Sequence, residues 1–227
     1  MEWHCEWKNG TIDVYFGPYK KGKYKLLEEP YCHKCAHPGV TTEECTWHHS
    51  LYGFNRIYAM GKYYPSVKRA KDDLLSYHIW AFKKWMRYSL PLGDALSLLV
   101  KNRYPELLNS EAIVPVPLHP DRIHKRGYNQ SLELAKVMGN KLNIKVIDAL
   151  VKFEDVEMRP LNWKQRREVV DGLYGTREEL EQYIRNKVIL LLDDVVTTGF
   201  TVSECAQVLI SSNAKEVNVL AAGRSVL

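Results

Sequence analysis

The run Val188–Thr201 carries the most specific chemistry in the chain: Val-Ile-Leu-Leu-Leu, then Asp193-Asp194-Val195-Val196-Thr197-Thr198-Gly199-Phe200-Thr201. The apolar residues read as a buried strand, and the residues after the two acids read as a loop that opens a helix. A helix N-terminus offers free backbone N–H groups and the positive end of the peptide dipoles, which suits a phosphate. Thr197, Thr198 and Thr201 add hydroxyl donors, and Gly199 allows close approach of the backbone. Two carboxylates facing a phosphate would repel it. They fit instead beside vicinal hydroxyls or a metal ion, so the run describes a site for a ribose 5-phosphate group.

A second cluster lies near the N-terminus. Cys32-His33-Lys34-Cys35 is a C-x2-C knuckle, and Cys45-Thr46-Trp47-His48 repeats the spacing with histidine last. Two such knuckles can close a tetrahedral zinc site, with Cys32, Cys35, Cys45 and His48 as ligands and His49 or Cys5 as alternatives for the fourth. A closed ligand set points to a structural zinc. The cysteine count is five, odd, and the start Met1-Glu2-Trp3-His4-Cys5 has neither the basic region nor the apolar core of a secretory signal. Both facts favour a reduced, cytoplasmic setting over a disulfide framework. Cys205 reads as a small buried apolar residue.

The elements that must position these residues fall into three stretches of the 227 residues. Residues 1–55 show no helical period; Thr11–Phe16 alternates like a strand after an Asn9-Gly10 turn, and a metal clip would stabilise so small a module. Residues 56–110 read as a mostly helical lead-in. Leu75, Ile79, Phe82 and Met86 share one helical face, Pro91 and Gly93 interrupt the pattern, and a second helix carries Leu96, Leu99 and Val100. Residues 111–227 alternate: strand Ala112–Pro117, helix Ser131–Leu142, an extended Ile144–Leu150, strand Lys187–Asp193, helix Val202–Ser211, strand Glu216–Ala221. Continuous apolar strands separated by helices predict an α/β fold, a parallel sheet with helices on both faces. No apolar run approaches the roughly 20 residues needed to span a membrane.

The acid–threonine loop resembles the signature by which type I phosphoribosyltransferases bind phosphoribosyl diphosphate (PRPP). Val114-Pro115-Val116-Pro117-Leu118-His119-Pro120-Asp121-Arg122, Lys125-Arg126-Gly127-Tyr128-Asn129-Gln130 and Arg159-Pro160-Leu161 with Gln165-Arg166-Arg167 narrow the likeness. Together they resemble the ComF family of phosphoribosyltransferase-like proteins, over about residues 30–227. The resemblance implies that Asp193 and Asp194 bind the ribose hydroxyls. The loop Val195-Val196-Thr197-Thr198-Gly199-Phe200-Thr201 would then hold the 5-phosphate. Val116-Pro117-Leu118-His119 would face the pyrophosphate and its Mg²⁺, and Arg159 would begin a lid. ComF-like proteins typically carry two C-x2-C knuckles; here His48 stands where the fourth cysteine would be.

The charge pattern adds one more reading. The net charge is +5, yet residues 62–103 hold nine Lys or Arg against three acids. Tyr63, Tyr64, Tyr77, Trp80, Trp85 and Tyr88 are interleaved with them. Basic residues beside aromatic faces suit single-stranded nucleic acid. An amphipathic helix with solvated lysines accounts for most of the pattern, and Lys83, Lys84 and Arg87 remain as a candidate strip. Arg122, Lys125, Arg126, Arg159, Lys164, Arg166 and Arg167 could meet a charged leaving group. Three functions compete: a PRPP-dependent transferase acting with Mg²⁺ on an unidentified acceptor, a DNA-handling protein without turnover, and a sensor of PRPP or a nucleoside 5-phosphate. The oligomeric state is left open, with a dimer among the alternatives.

Overall fold

The computed structural model describes residues 2–66, 72–155 and 172–226. Its first elements are three antiparallel strands, β1 (Trp3–Lys8), β2 (Thr11–Phe16) and β3 (Tyr19–Tyr24). Asn9 and Gly10 both take positive φ, 49° and 73°. That is the twist a two-residue hairpin turn requires, and it explains Asn-Gly at this point.

The central sheet has five parallel strands: β4 (Ile57–Tyr63), β5 (Ala112–Pro115), β6 (Lys145–Val146), β9 (Val188–Val196) and β10 (Glu216–Ser225). Their spatial order is β4-β10-β9-β5-β6, and a short antiparallel pair, β7 (Leu150–Lys152) and β8 (Tyr174–Thr176), stands apart. The helices among the described residues are α1 (Leu74–Phe82), α2 (Ser89–Arg103), α3 (Pro120–Arg126), α4 (Gln130–Leu142) and α5 (Phe200–Ser211). Side chains alternate across the strands. Ile189 and Leu191 of β9 pack into the core that holds α5, whereas Leu190 and Leu192 pack into the one that holds α1, α2 and α4. The expected parallel sheet with helices on both faces is borne out. Fully burying each such leucine contributes roughly 1.5–3 kcal/mol, which is why the five-residue apolar run lies in the middle of the sheet.

The N-terminal segment is divided between the two cores. Ile12, Val14 and Tyr24 of the hairpin sheet join the α1/α2 side, and Cys32, Cys35, Cys45 and Leu51 join the α5 side. The chain changes side along the edge of β4, where Leu27 N–H donates to Met60 O at 2.8 Å. Gly61 permits this crossing, since a Cβ there would lie 2.3 Å from Lys25 O.

Three local expectations change. Residues 57–63 form β4, a strand absent from the sequence reading. α1 ends at Phe82, so Met86 leaves the apolar face and is 44% exposed in the turn that follows. Pro91 and Gly93 do not interrupt α2. Pro91 lies in its first turn, where a backbone donor is not needed, and Gly93 lets Val137 of α4 approach to 2.7 Å of its missing Cβ. Cys205 is fully buried in α5, as read from the sequence.

Candidate functional site

The chain runs from β5 through α4 to β6 on one side, and from β9 through α5 to β10 on the other. The carboxyl ends of β5 and β9 therefore flank the point where the winding reverses, the place where open α/β sheets bind ligands. Both predicted loops are there. Val116 N–H donates to Leu192 O at 2.9 Å, so Val116-Pro117-Leu118-His119 leaves the sheet beside Asp193. His119 caps α3, its Nδ1 accepting from Asp121 N–H at 3.2 Å.

Asp193 is 9% exposed, and its Oδ1 accepts from Ser131 Oγ at 3.0 Å and from Asp194 N–H at 2.9 Å. Burial, and then the neighbouring Asp194 charge, push its carboxyl up to about 8. A carboxyl held this way is under-compensated, and hydroxyl donors or a cation would complete it. The pair is thus chemically suited to ribose hydroxyls or to Mg²⁺.

Thr197 and Thr198 follow β9, and Gly199, at φ 91°, is the N-cap of α5. Thr198 is buried, while Thr197 and Thr201 are half-buried. Val195, Val196 and Phe200 complete the turn, with Val196 and Phe200 in the core. The fold adds a second reason for glycine here. A Cβ on Gly199 would lie 2.8 Å from Leu51 Cδ1, so the bare α-carbon makes room for the N-terminal segment as well as permitting the left-handed backbone.

The motif Gly127–Gln130 proves to be the scaffold of the site. Asn129 Nδ2 donates to Val116 O at 3.0 Å while Asn129 Oδ1 accepts from Ser131 N–H at 3.0 Å. Tyr128 Oη donates to Phe82 O. One short segment therefore fixes the β5 loop, the start of α4 and, through Ser131, the buried acid. Ser131 and Asn129 were not singled out as site residues. Their signal was position alone, within and just after the family-like motif.

Lys83, Arg122, Lys125 and Arg126, with Asp155, line a cavity of about 540 Å³. Arg122 is ion-paired with Asp155. Lys84 lies 4.6 Å from the Trp80 ring centroid, and Arg87 lies 5.7 Å and 5.5 Å from those of Trp85 and Tyr88. Trp85 is 45% exposed, but Tyr63 and Tyr88 are buried, so only part of the aromatic series faces solvent. Arg159, Lys164, Arg166 and Arg167, like Lys68, Arg69 and Lys71, lie outside the described residues.

The cysteines come together as the spacing predicts. The sulfurs of Cys32, Cys35 and Cys45 lie within 4.8 Å of one another, a cluster that could hold a metal ion. Cys35 Sγ and Cys45 Sγ are 3.6 Å apart, close to the about 3.8 Å that tetrahedral zinc–sulfur bonds impose. His48 Nδ1 is 3.4 Å from Cys32 Sγ, so the fourth predicted ligand reaches Cys32, while the mutually close group consists of the three sulfurs. Burial, His49 and Lys34 lower the pKa of His48, favouring the neutral ring that a metal takes. The His49 ring packs on that of His48 at 4.3 Å. Cys5 is excluded as a ligand, because it lies on the hairpin sheet with its Sγ bonded to Pro91 O at 3.3 Å.

Among the described residues no helix is long and apolar enough to cross a membrane. No family model matches the chain. The chain is 31% identical over 138 residues to Competence protein F of Haemophilus influenzae, covering 59% of this chain and 60% of that protein. It is 36% identical over 109 residues to Competence protein ComFC of Streptococcus pneumoniae, covering 46% and 44%. It is 26% identical over 196 residues to DNA utilization protein YhgH of Salmonella typhimurium, covering 83% and 81%. The matched segments thus span about half the length of the first two relatives. These relatives bear out the ComF-like resemblance of the motifs. Among solved structures, the allosteric regulatory enzyme of purine biosynthesis aligns over 59% of this chain and 26% of its own, at 16% identity and a TM-score of 0.41.

Proposed function

We propose that this ComF-like chain binds a ribose 5-phosphate group, as PRPP with Mg²⁺ or as a nucleoside 5-phosphate, at the carboxyl end of β9. The observation that carries the reading is the position of Asp193, Asp194 and the Thr197–Thr201 turn at the point where the sheet reverses its winding. The helix end and threonine hydroxyls would take the 5-phosphate. The two carboxyls would take the ribose hydroxyls, and Val116–His119 would face the pyrophosphate. Mg²⁺ would neutralise charge on a departing pyrophosphate, and Arg122, Lys125 and Arg126 lie where they could assist it. Transfer to an acceptor is a further step of the same reading, and Arg159 keeps its proposed place in a lid. Calorimetry with PRPP and Mg²⁺ tests the binding: heat in the wild type, lost in Asp193→Asn/Asp194→Asn, is expected. Equal binding in both, or none in either, would refute it.

A second reading, single-strand DNA handling, is favoured by the basic cavity of Lys83, Arg122, Lys125 and Arg126 and by the names of the relatives. Lys83, Lys84 and Arg87 would extend that cavity along the surface, and exposed Trp85 would offer a face to a base. Salt-sensitive binding of an oligonucleotide should weaken in Lys83→Ala/Arg126→Ala, with a shallower salt slope. The zinc reading of the cysteine cluster is tested by metal analysis of protein purified without chelator, with stoichiometric zinc expected.

A further inference from the structure

Arg224 is a charged residue that neither site accounts for. It lies near the end of β10, opposite Val196 in the ladder with β9, and is 1% exposed. Burying a guanidinium is costly unless its donors are met, so its partners indicate its role. Arg224 Nε donates to Cys35 O at 3.1 Å. Arg224 Nη1 donates to Val196 O at 3.1 Å and also to Thr197 O. One side chain thus holds the backbone of the metal-binding knuckle and the backbone of the loop that precedes α5. A second contact runs parallel to it. Leu51, just after His48 and His49, fills the space over Gly199, and Ser203 Oγ exchanges hydrogen bonds with the Tyr52 backbone at 2.8 Å and 2.9 Å.

The remaining nitrogen, Nη2, is buried with no hydrogen-bond partner among the described residues. A divalent metal with three thiolates and one neutral histidine carries a net charge of about −1. A guanidinium beside it would compensate that charge, as outer-shell donors do at metal centres.

We propose that Arg224 is a positioning residue that couples metal occupancy of the Cys32/Cys35/Cys45/His48 knuckle to the conformation of the Val196–Thr198 loop. With the metal bound, the knuckle anchors the guanidinium, and the guanidinium holds the two loop carbonyls so that the amides at the start of α5 keep one orientation. Without it, the anchor at Cys35 is released. Linkage is reciprocal, so a ligand on the loop also favours metal retention. Lysine cannot replace arginine, because a single ammonium cannot span three carbonyls on two segments in a fixed fork.

Amide hydrogen exchange on the full chain tests this directly. In the metal-loaded wild type, chelation should speed exchange of the Val195–Gly199 amides at least tenfold. The β1–β3 hairpin, which packs in the other core, should keep its protection. Arg224→Lys should show the fast loop already in the metal-loaded protein, with little further change on chelation. Loop protection indifferent to chelation, or loss of protection everywhere at once, would overturn the coupling. So would a chain that binds no metal. The second arm alone rests on the ribose 5-phosphate reading. In cobalt-substituted protein, ribose 5-phosphate should shift the thiolate charge-transfer band of the wild type and leave that of Arg224→Lys unmoved. If calorimetry shows that the wild type does not bind ribose 5-phosphate while the exchange result holds, the strut stands and the ligand reading falls.

Discussion

Replacing Asp193 with asparagine should abolish a specific pH dependence of stability. Burial and Asp194 hold the Asp193 carboxyl up to about 8 in the folded chain, whereas an unfolded chain titrates it near 3.9. Between those values the folded chain keeps a proton that the unfolded chain has released. The unfolded state therefore binds fewer protons, and stability falls as pH rises, by about 1.4 kcal/mol per unit at the steepest. The stability this group gives at low pH is whole below about pH 4 and has been lost by about pH 8. From pH 5 to pH 7 the wild type should lose about 2–3 kcal/mol through this one residue. Asparagine keeps an oxygen that can accept from Ser131 Oγ and Asp194 N–H, and it does not titrate here. Urea unfolding of both proteins at pH 5, 6 and 7 should show the difference widening by that amount in favour of Asp193→Asn. Parallel profiles would refute the reasoning, because they would mean that Asp193 is ionised throughout and already compensated. The same titration bears on binding. A ligand hydroxyl or Mg²⁺ that favours the carboxylate should release a proton, so the calorimetric enthalpy should vary with the ionisation enthalpy of the buffer.

Other substitutions test the packing around the site and the metal-binding cluster. Gly199→Ala places a Cβ at positive φ and 2.8 Å from Leu51 Cδ1; thermal unfolding should show a loss of about 1–3 kcal/mol, partly recovered in Gly199→Ala/Leu51→Ala. Tyr128→Phe removes the donor to Phe82 O and leaves that carbonyl unpaired, and denaturant titration should register about 1–3 kcal/mol. His48→Ala should lower metal affinity at least tenfold in a competition assay with a chromophoric chelator, while Cys5→Ser, on the other side of the sheet, should leave it unchanged.

How much of this was legible in the sequence depended on whether a residue's role is local. The run Val188–Thr201 encodes its own strand, turn and helix start, so β9 and the N-terminus of α5 could be read directly. The cysteine cluster was legible for the same reason: a C-x2-C knuckle sets its geometry within one turn, and only the fold shows that Cys5 lies elsewhere. β4 was missed because Ile57-Tyr58-Ala59-Met60-Gly61-Lys62-Tyr63 contains a glycine, a lysine and little alternation. It is a strand because its backbone pairs with β10 and because Gly61 lets residues 25–27 cross its edge. Met86 keeps the helical spacing of α1 past the point where the chain turns away, so spacing alone places it on that face.

Arg224 lies at the far end of this scale. Nothing around it in sequence marks it out, and an arginine close to the end of a strand ordinarily reads as a solvated residue. Its role exists only because the parallel register sets it opposite Val196 and because the N-terminal segment folds back to bring Cys35 O to its guanidinium. Ser131 is of the same kind, since it matters because α4 carries it to within 3.0 Å of Asp193 Oδ1. Residues that do the chemistry can be found by type and spacing. Residues that hold the chemistry in place join elements distant in the chain, and their identity is set by three-dimensional register. A search of ComF-like sequences for positioning residues should therefore begin at the strand position opposite Val196 and at the helix start that faces Asp193.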